Sequence, residues 1–370
     1  MKAMALVTRE AGKLGQIEEV NVPEPSEHDV LVRTVSCGIC HTDMSAINQD
    51  IPVPLPFVVG HEGAGIVEKV GSAVTYVKPG DKVAMGVPYC MECKFCQAGH
   101  PMCCVRADEL NFGGFHNDGK TRLTDKDGKP LHCMFVQSSY CTLSLTNEIN
   151  CIKLPEETTM EDLPYVGSLA CGLETGSGIV LNYFKAEPGS AFVVFGCGAV
   201  GCAAIMAAKI ANCRYIIGVD VVDSRLDLAL ELGATHVING AKQDAVAEIK
   251  KITEYGADYA LDNTANPQCI LQALDCLAPL GIAVSCGTTG MKTVPVLPQF
   301  QLMSGRNALA GVIQGDVRPK DWVPKLVKWY KEGKFPFDRL IKFYDFTTES
   351  IEQAYADSHA GTTIKPVVKF

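Results

Sequence analysis

Ala191-Phe192-Val193-Val194-Phe195-Gly196-Cys197-Gly198-Ala199-Val200-Gly201 is the stretch on which the fold of this 370-residue chain turns. Its first five residues form a buried-strand run, and Ala203 to Ile210 is helical in composition. A lone G-x-G-x-x-G pattern is weak evidence, but between a strand and a helix it is strong. The glycines permit a tight turn and close approach of backbone to a pyrophosphate, which then meets the amide donors of the helix N-terminus. A second β-rich run, Tyr215 to Asp220, ends in an acid nineteen residues after Gly201. An acid there accepts from adenine-ribose hydroxyls and favours NAD over NADP; the competing reading is a helix N-cap. Arg225 complicates the reading, because a nearby arginine can accommodate a 2′-phosphate.

The same texture continues through Asp258 to Asp262 and Gly281 to Gly287. Alternating strands and helices predict an α/β, doubly wound parallel sheet over residues 173–313. Ala191 to Ala208 is also eighteen residues without a charge, the length at which a membrane helix is suspected. The glycines at nucleotide-loop spacing argue against that. Residues 1 to about 90 differ, with short β-rich runs such as Val30–Val35 and Gly65–Val70 and a Pro-Gly turn at Pro79-Gly80. Strands without intervening helices suggest a small barrel-like domain. Asp125 to Lys129 reads as a solvated turn, Trp322 to Lys334 as an amphipathic helix, and Ile364 to Phe370 as a last strand.

Two cysteine-rich patterns carry metal chemistry. Cys37-Gly38-Ile39-Cys40-His41-Thr42-Asp43 is followed about twenty residues on by Gly60-His61-Glu62-Gly63. Thiol and imidazole, each with a carboxylate close behind, suit a catalytic zinc, which takes three protein ligands and keeps a fourth position open. Asp43 and Glu62 are placed to orient the ligands. The second pattern is Cys90-Met91-Glu92-Cys93-Lys94-Phe95-Cys96 with Cys103-Cys104 behind it. Three cysteines at this spacing and a fourth nearby close a tetrahedral shell, the form of a structural zinc. Cys103 and Cys104 compete for the fourth place. A redox dithiol is the lesser reading, since its C-x-x-C would sit near a βαβ pattern.

Composition bounds the rest. Hydrophobic residues make up 47% and charged residues 20%, ordinary for a globular protein of two domains. A net charge of −9 argues against a nucleic-acid surface. Seventeen cysteines in so long a chain point to metal ligands and free thiols in a reducing compartment. Met1 to Ala5 passes into charged residues without the apolar core of a signal peptide, so the expected location is cytoplasmic.

Cys-Gly-Ile-Cys-His-Thr-Asp followed by Gly-His-Glu-Gly-Ala-Gly resembles the zinc-dependent medium-chain alcohol dehydrogenases, and the likeness spans nearly the whole chain. The resemblance implies a chaperonin-like (GroES-like) catalytic domain over 1–172 and 314–370, and a Rossmann-type NAD-binding domain over 173–313. It selects Cys40 over Cys37, His61, and Cys171 of Val166–Gly172 as ligands of a catalytic zinc. It selects Cys104, with seven residues between it and Cys96, to complete Cys90, Cys93 and Cys96 around a structural zinc. Two zinc ions per chain are expected.

By the same resemblance Thr42 takes the alcohol proton, and His41 lies at the cofactor pyrophosphate. Thr175, Gly196, Gly198, Val200, Gly201, Asp220, Arg225 and Gly287 are the further cofactor contacts, Arg225 at the adenosine ribose and Gly287 near the nicotinamide. Ser45 stands where many relatives carry a histidine that finishes a proton relay; serine is no base near neutral pH. Phe112-Gly113-Gly114 and Phe135-Val136-Gln137 are most similar to the aryl (benzyl) alcohol branch. The implied reaction is hydride transfer between a primary, aromatic or allylic alcohol and NAD⁺, by a homodimer or homotetramer. A glutathione-dependent formaldehyde dehydrogenase and a non-catalytic zinc- and nucleotide-binding sensor are the alternatives. The first is disfavoured because the Ser45 to Pro56 segment, whose one acid is Asp50, lacks the acidic residues those enzymes carry there, the second by the presence of Cys40, Thr42, His61 and Cys171.

Overall fold

The computed structural model describes residues 1–287 and 299–370. The chain forms two compact units: Met1–Cys171 with Val317–Lys331 and Asp338–Phe370, and Gly172–Asp316 with Glu332–Phe337. The short segment Glu332–Phe337, read from sequence as part of the first domain, groups with the second unit.

The first unit is built on strand Asp29–Gly38, which is buried along nearly its whole length. Burial on both faces explains its apolar run of Val30-Leu31-Val32: Val30 and Val32 enter one core cluster and Leu31 another. Gly63–Val70 lies antiparallel on one side, and Leu143–Asn147 and Lys365–Lys369 pair with it elsewhere. Seven strands join in this sheet, and a second sheet of five contains Lys2–Thr8 and Gln16–Asn21. Strand register sets the geometry at one end of the larger sheet. Cys37 pairs with Gly63 and also with Val368, so the chain leading to Cys40, the chain leaving His61 and the last strand meet there.

The second unit is a six-stranded parallel sheet in the order third, second, first, fourth, fifth, sixth by sequence. That order is the doubly wound arrangement of nucleotide-binding sheets. Strand Ala191–Phe195 is its first and is fully buried. Helices Ala199–Ile210, Asp223–Leu232, Ala245–Thr253 and Pro267–Asp275 alternate with the strands. Side chains start the later ones: Asp244 accepts from Ala247 N–H at 3.1 Å, and Asn266 from Gln268 N–H at 3.0 Å with Pro267 at the first helical position. The uncharged run 191–208 is divided between strand and helix. No helix among the described residues is long and apolar enough to cross a membrane.

The amphipathic helix expected at Trp322–Lys334 runs instead from Pro319 to Lys331. Proline fits the first turn, where its missing N–H is no loss, and Gly333 at φ +71° stops the helix early.

A buried charge cluster ties the long segment after residue 112 to the main sheet. Asp29, almost without solvent, takes Arg122 Nε at 2.7 Å, and Arg122 also meets Asp118 at 3.1 Å. His116 Nδ1 is 3.8 Å from Asp29. Burial would raise the Asp29 carboxyl, but the His116 and Arg122 contacts outweigh it and hold it well below the usual carboxylate range. Asp29→Ala should destabilise the protein by about 3 kcal/mol at pH 7, because it removes the buried partner of Arg122 and leaves only the half-exposed Asp118. The charge-dependent stabilisation is fully present above the unfolded carboxyl pKa of about 3.9 and is lost as the pH falls toward the depressed folded value. Urea unfolding at pH 7 and near pH 3 measures the difference between parent and variant. A gap that does not shrink at the lower pH would show that Asp29 acts through packing alone.

Candidate functional site

Cys40 precedes helix His41–Ile47, and Asp43 at its third position reaches back to the Cys40 N–H at 3.1 Å. This is the return half of a capping box, and it explains an acid at this place in the first turn. The other Asp43 oxygen lies 2.8 Å from His61 Nδ1. His61 follows Gly60 at φ +103°, a conformation a residue with a Cβ enters only with strain, and here that Cβ would also strike Tyr140. With Nδ1–H donated to Asp43, Nε2 is left as an acceptor facing Cys171 Sγ at 3.5 Å. Cys171 ends the turn Gly167–Ala170, and its sulfur is 3.8 Å from Cys40 Sγ.

Those separations test the site for a metal. A tetrahedral zinc at about 2.3 Å from sulfur and about 2.05 Å from nitrogen requires S···S of about 3.8 Å and S···N of about 3.6 Å. The observed distances match, and soft sulfur with imidazole is a donor set that zinc prefers. Cys40, His61, Glu62 and Cys171 have ligand atoms within 4.8 Å of one another. Glu62 is engaged elsewhere: Lys365 Nζ is 2.6 Å from its carboxylate and donates to Ile39 O at 3.0 Å. Cys37 lies outside the group, its Sγ 3.2 Å from Ser139 Oγ.

Electrostatics separates the two thiols. The hydrogen bond between Cys171 and Cys40 holds the Cys40 thiol well below its ordinary range, against burial and with help from His61 and Lys365. The same contact, with burial, pushes Cys171 up. Burial raises the Glu62 carboxyl to about 7 despite Lys365. Burial disfavours charge on Lys365 too, but Glu62, Cys40 and Cys171 raise it further. A dication held among these groups would draw thiols and carboxylate into their charged forms.

The second group is Cys90, Cys93, Cys96 and Cys104, also within 4.8 Å. Cys90 and Cys96 sulfurs are 3.8 Å apart, and those of Cys93 and Cys96 3.5 Å. Backbone N–H groups point at the sulfurs: Cys93 to Cys90 and Cys90 to Cys104 at 3.3 Å, Arg106 to Cys104 at 3.4 Å. Such donors favour thiolate. Those from Cys96 and Val105 draw Cys93 down to about 6, while burial pushes Cys96 up to about 12. Cys103 is exposed and outside the group.

On helix His41–Ile47, Thr42 Oγ1 is 3.6 Å from Cys40 Sγ; Ser45 follows one turn later, half-buried, and His41 is exposed. In the second unit, a cleft of about 580 Å³ is lined by Gly196, Gly198, Asp220, Arg225, Asn263 and neighbours. A Cβ on Gly201 would lie 1.9 Å from Gly196 O, so the helix can start this close to the strand only with glycine. The Asp220 carboxylate accepts from Cys197 N–H at 2.7 Å and from Val221 and Val222 N–H at 2.8 and 3.0 Å. Arg225 Nη1 is 3.9 Å away, and its Nε is buried without a partner among the described residues. An orphaned donor beside a cleft suits an oxygen-rich ligand such as a dinucleotide. Val200 lies in the first turn of helix Ala199–Ile210. Thr175 lies on helix Gly172–Gly178, its Oγ1 3.2 Å from Gln314 Oε1, and Gly287 abuts Asn263 and Ala265.

Three contributors escaped sequence reasoning. Lys365 was signalled only by a lone charge in the apolar run Ile364 to Val368. Phe135, whose ring stacks on His61 at 4.6 Å, and Gln137, whose amide donates to His61 O at 3.1 Å, stood in a motif of the aryl branch without a role of their own.

Residues 26–156 match the model of the alcohol dehydrogenase GroES-like domain, and 199–332 that of zinc-binding dehydrogenase. The chain is 36% identical to a geraniol dehydrogenase of Castellaniella defragrans, covering all of this chain and 98% of that protein. It is 34% identical to an S-(hydroxymethyl)glutathione dehydrogenase of Paracoccus denitrificans, each covered in full. The crystal structure of a benzyl alcohol dehydrogenase from Acinetobacter calcoaceticus superposes with a TM-score of 0.95 at 40% identity, over all of this chain and 99% of that one.

Metal analysis should return about two zinc ions per chain, one for each ligand group. Cys171→Ser should lose one of them and stay folded with its melting temperature nearly unchanged. Cys93→Ser should lose several kcal/mol of stability, since a closed metal shell contributes folding energy. An unfolded Cys171→Ser protein, or one ion in the parent, would contradict this division.

Proposed function

The chain belongs to the zinc-dependent medium-chain alcohol dehydrogenase family, and from that premise we propose that it interconverts primary aromatic or allylic alcohols and their aldehydes with NAD. The observation that carries the reading is the group of Cys40, His61 and Cys171 at tetrahedral zinc separations, with Asp43 fixing the imidazole. Zinc there supplies Lewis acidity toward an alcohol or carbonyl oxygen, and the nicotinamide supplies the hydride acceptor. The residues of the chain do the rest. Asp43 keeps the proton on His61 Nδ1 and so presents Nε2. Lys365 neutralises Glu62 at the back of the group. Thr42 Oγ1 takes the substrate proton, and Ser45 leaves the last transfer to water. Cys90, Cys93, Cys96 and Cys104 hold a second, structural zinc.

Support for aromatic or allylic alcohols comes from the activities for which the 36%- and 40%-identical proteins are named. The glutathione adduct oxidised by the 34%-identical relative is the rival substrate. Turnover of benzyl alcohol and geraniol with NAD, independent of added glutathione, is expected; activity that requires glutathione would transfer the proposal to the rival.

For the cofactor, we expect Asp220→Ser to lower the ratio of kcat/KM with NAD to that with NADP by at least about tenfold, or about 1.4 kcal/mol. An unchanged ratio would reduce Asp220 to a local brace. For proton transfer, Thr42→Val should cost on the order of 10²-fold in kcat, in the range of general acid–base groups, whereas Ser45→Ala should change it little. Ser45→His should raise alcohol oxidation at mildly acid pH, where a base of pKa near 6.5 assists. A large loss in Ser45→Ala would make the serine hydroxyl an essential relay member.

A further inference from the structure

The turn Phe135–Tyr140 runs beside Val58–His61 and meets four successive carbonyls there with donors. Ser138 Oγ donates to Val58 O at 2.9 Å, Tyr140 N–H to Val59 O at 3.1 Å, and Ser139 N–H to Gly60 O at 3.1 Å. Gln137 Nε2 donates to His61 O at 3.1 Å and to Gly86 O at 3.0 Å, while its Oε1 accepts from Gly63 N–H at 3.4 Å. Gln137 is 1% exposed, so nothing in solvent can replace those bonds. The Phe135 ring lies nearly parallel to the imidazole, centroids 4.6 Å apart and planes 21° apart, and Phe112 packs edge-on behind it at 5.2 Å.

The backbone of this turn is unusual. Phe135, Val136 and Ser138 have φ of +53°, +52° and +49°. A β-branched residue enters that region only against strain, which persists where the surroundings hold the chain in place. Asp43 alone does not fix the histidine. One hydrogen bond at Nδ1 leaves the ring free to tilt about the N···O line and leaves the main chain free to shift. A stacked ring removes the tilt, and a side-chain amide on the carbonyl removes the shift.

We propose that Gln137 and Phe135 are positioning residues for His61 as a zinc ligand, Gln137 through its main chain and Phe135 through the plane of its ring. The proposal rests on the reading of His61 as a ligand. Partners of ligating histidines commonly change metal affinity by about 10- to 100-fold when removed. Phe135 and Gln137 extend that set from the usual partner of the ring nitrogen to the ring face and the carbonyl.

The test follows zinc release from the holoenzyme to a colorimetric chelator, with the catalytic-site phase identified by its loss in Cys171→Ser. Gln137→Leu and Phe135→Leu should speed that phase by about 10- to 100-fold and leave the four-cysteine phase at the parent rate. Phe135→Tyr, which keeps the stacked ring, should restore the slow release. Ser138→Ala, which removes a bond from the same turn to Val58, should leave both phases unchanged whatever it does to the melting temperature. In the cobalt-substituted enzyme, the visible bands of the catalytic site should shift in the first two variants and stay put in Ser138→Ala. Release no faster than in Ser138→Ala, or acceleration of both phases together, would overturn the proposal and leave the turn a packing element. Should Gln137→Leu not fold, the Phe135 pair decides alone. A His61→Ala protein that keeps both phases would overturn the ligand reading, and the proposal with it.

Discussion

The Asp43 carboxylate joins the Cys40 backbone to the His61 ring, and the first metal group depends on that bridge. A carboxylate with no exposed surface is costly unless its oxygens are satisfied, and these are satisfied by the Cys40 N–H and by His61 Nδ1. Burial pushes the imidazole toward its neutral form, yet Asp43 and Cys40 outweigh it and raise its pKa well above the ordinary value. In the neutral ring the Nδ1–H donated to Asp43 leaves Nε2 facing the Cys171 sulfur, and a metal ion held there would take the place of the second proton that the anionic neighbours favour. The arrangement is reciprocal: the acid needs the histidine as much as the histidine needs the acid. Removing either leaves the other buried and short of a partner. Lys365 and Glu62 repeat the logic a few ångströms away, a buried pair whose members are each tolerable only beside the other.

How much of this was legible in the sequence depends on distance along the chain. The parallel sheet was readable because Ala191 to Gly201 packs strand, turn and helix into eleven residues. The four cysteines from Cys90 to Cys104 were readable for the same reason: ligand spacing is itself the signal. Both readings rest on local geometry. Lys365 and Gln137 were not legible as site residues, because they meet Glu62 and His61 from 303 and 76 positions away. No periodicity records such an encounter. A lysine in an apolar strand and a glutamine in a loop are ordinary until the fold closes over them. The helix boundaries moved for smaller reasons, chiefly the early stop at Gly333.

The two candidate metal groups differ in the same way, and the difference has physical consequences. The cysteine cluster closes a loop of about fifteen residues, so bringing its ligands together costs little chain entropy. Backbone N–H groups of the same loop already point at its sulfurs. The other group spans 131 positions between Cys40 and Cys171, so its members meet only through long-range contacts. The larger sheet of the first unit supplies the placement: Cys37 opposite Gly63 and Val368 brings three distant segments to one end. Strand pairing does for Cys40 and His61 what sequence proximity does for Cys90 and Cys93.

The second unit applies the same economy of groups to its cleft. Asp220 is not a free carboxylate waiting for a sugar, because three backbone N–H groups already point at it. The one from Cys197 belongs to the glycine-rich turn, so the acid and the turn hold each other in place. Each carboxylate oxygen has two acceptor positions, which leaves room for a ribose hydroxyl beside the backbone donors. The helix-cap reading from sequence is thereby narrowed: the residue at the cap position is Val222, and Asp220 braces the strand end and the loop before it. Arg225, with Nη1 3.9 Å from the acid and Nε buried without a partner among the described residues, completes the pair. With the acid and the arginine side by side, the cleft offers a sugar both an acceptor and a donor. An added 2′-phosphate would have to approach the acid to reach the arginine. On the proposed NAD reading, discrimination would rest on the repulsion that Asp220 contributes as much as on any bond it makes.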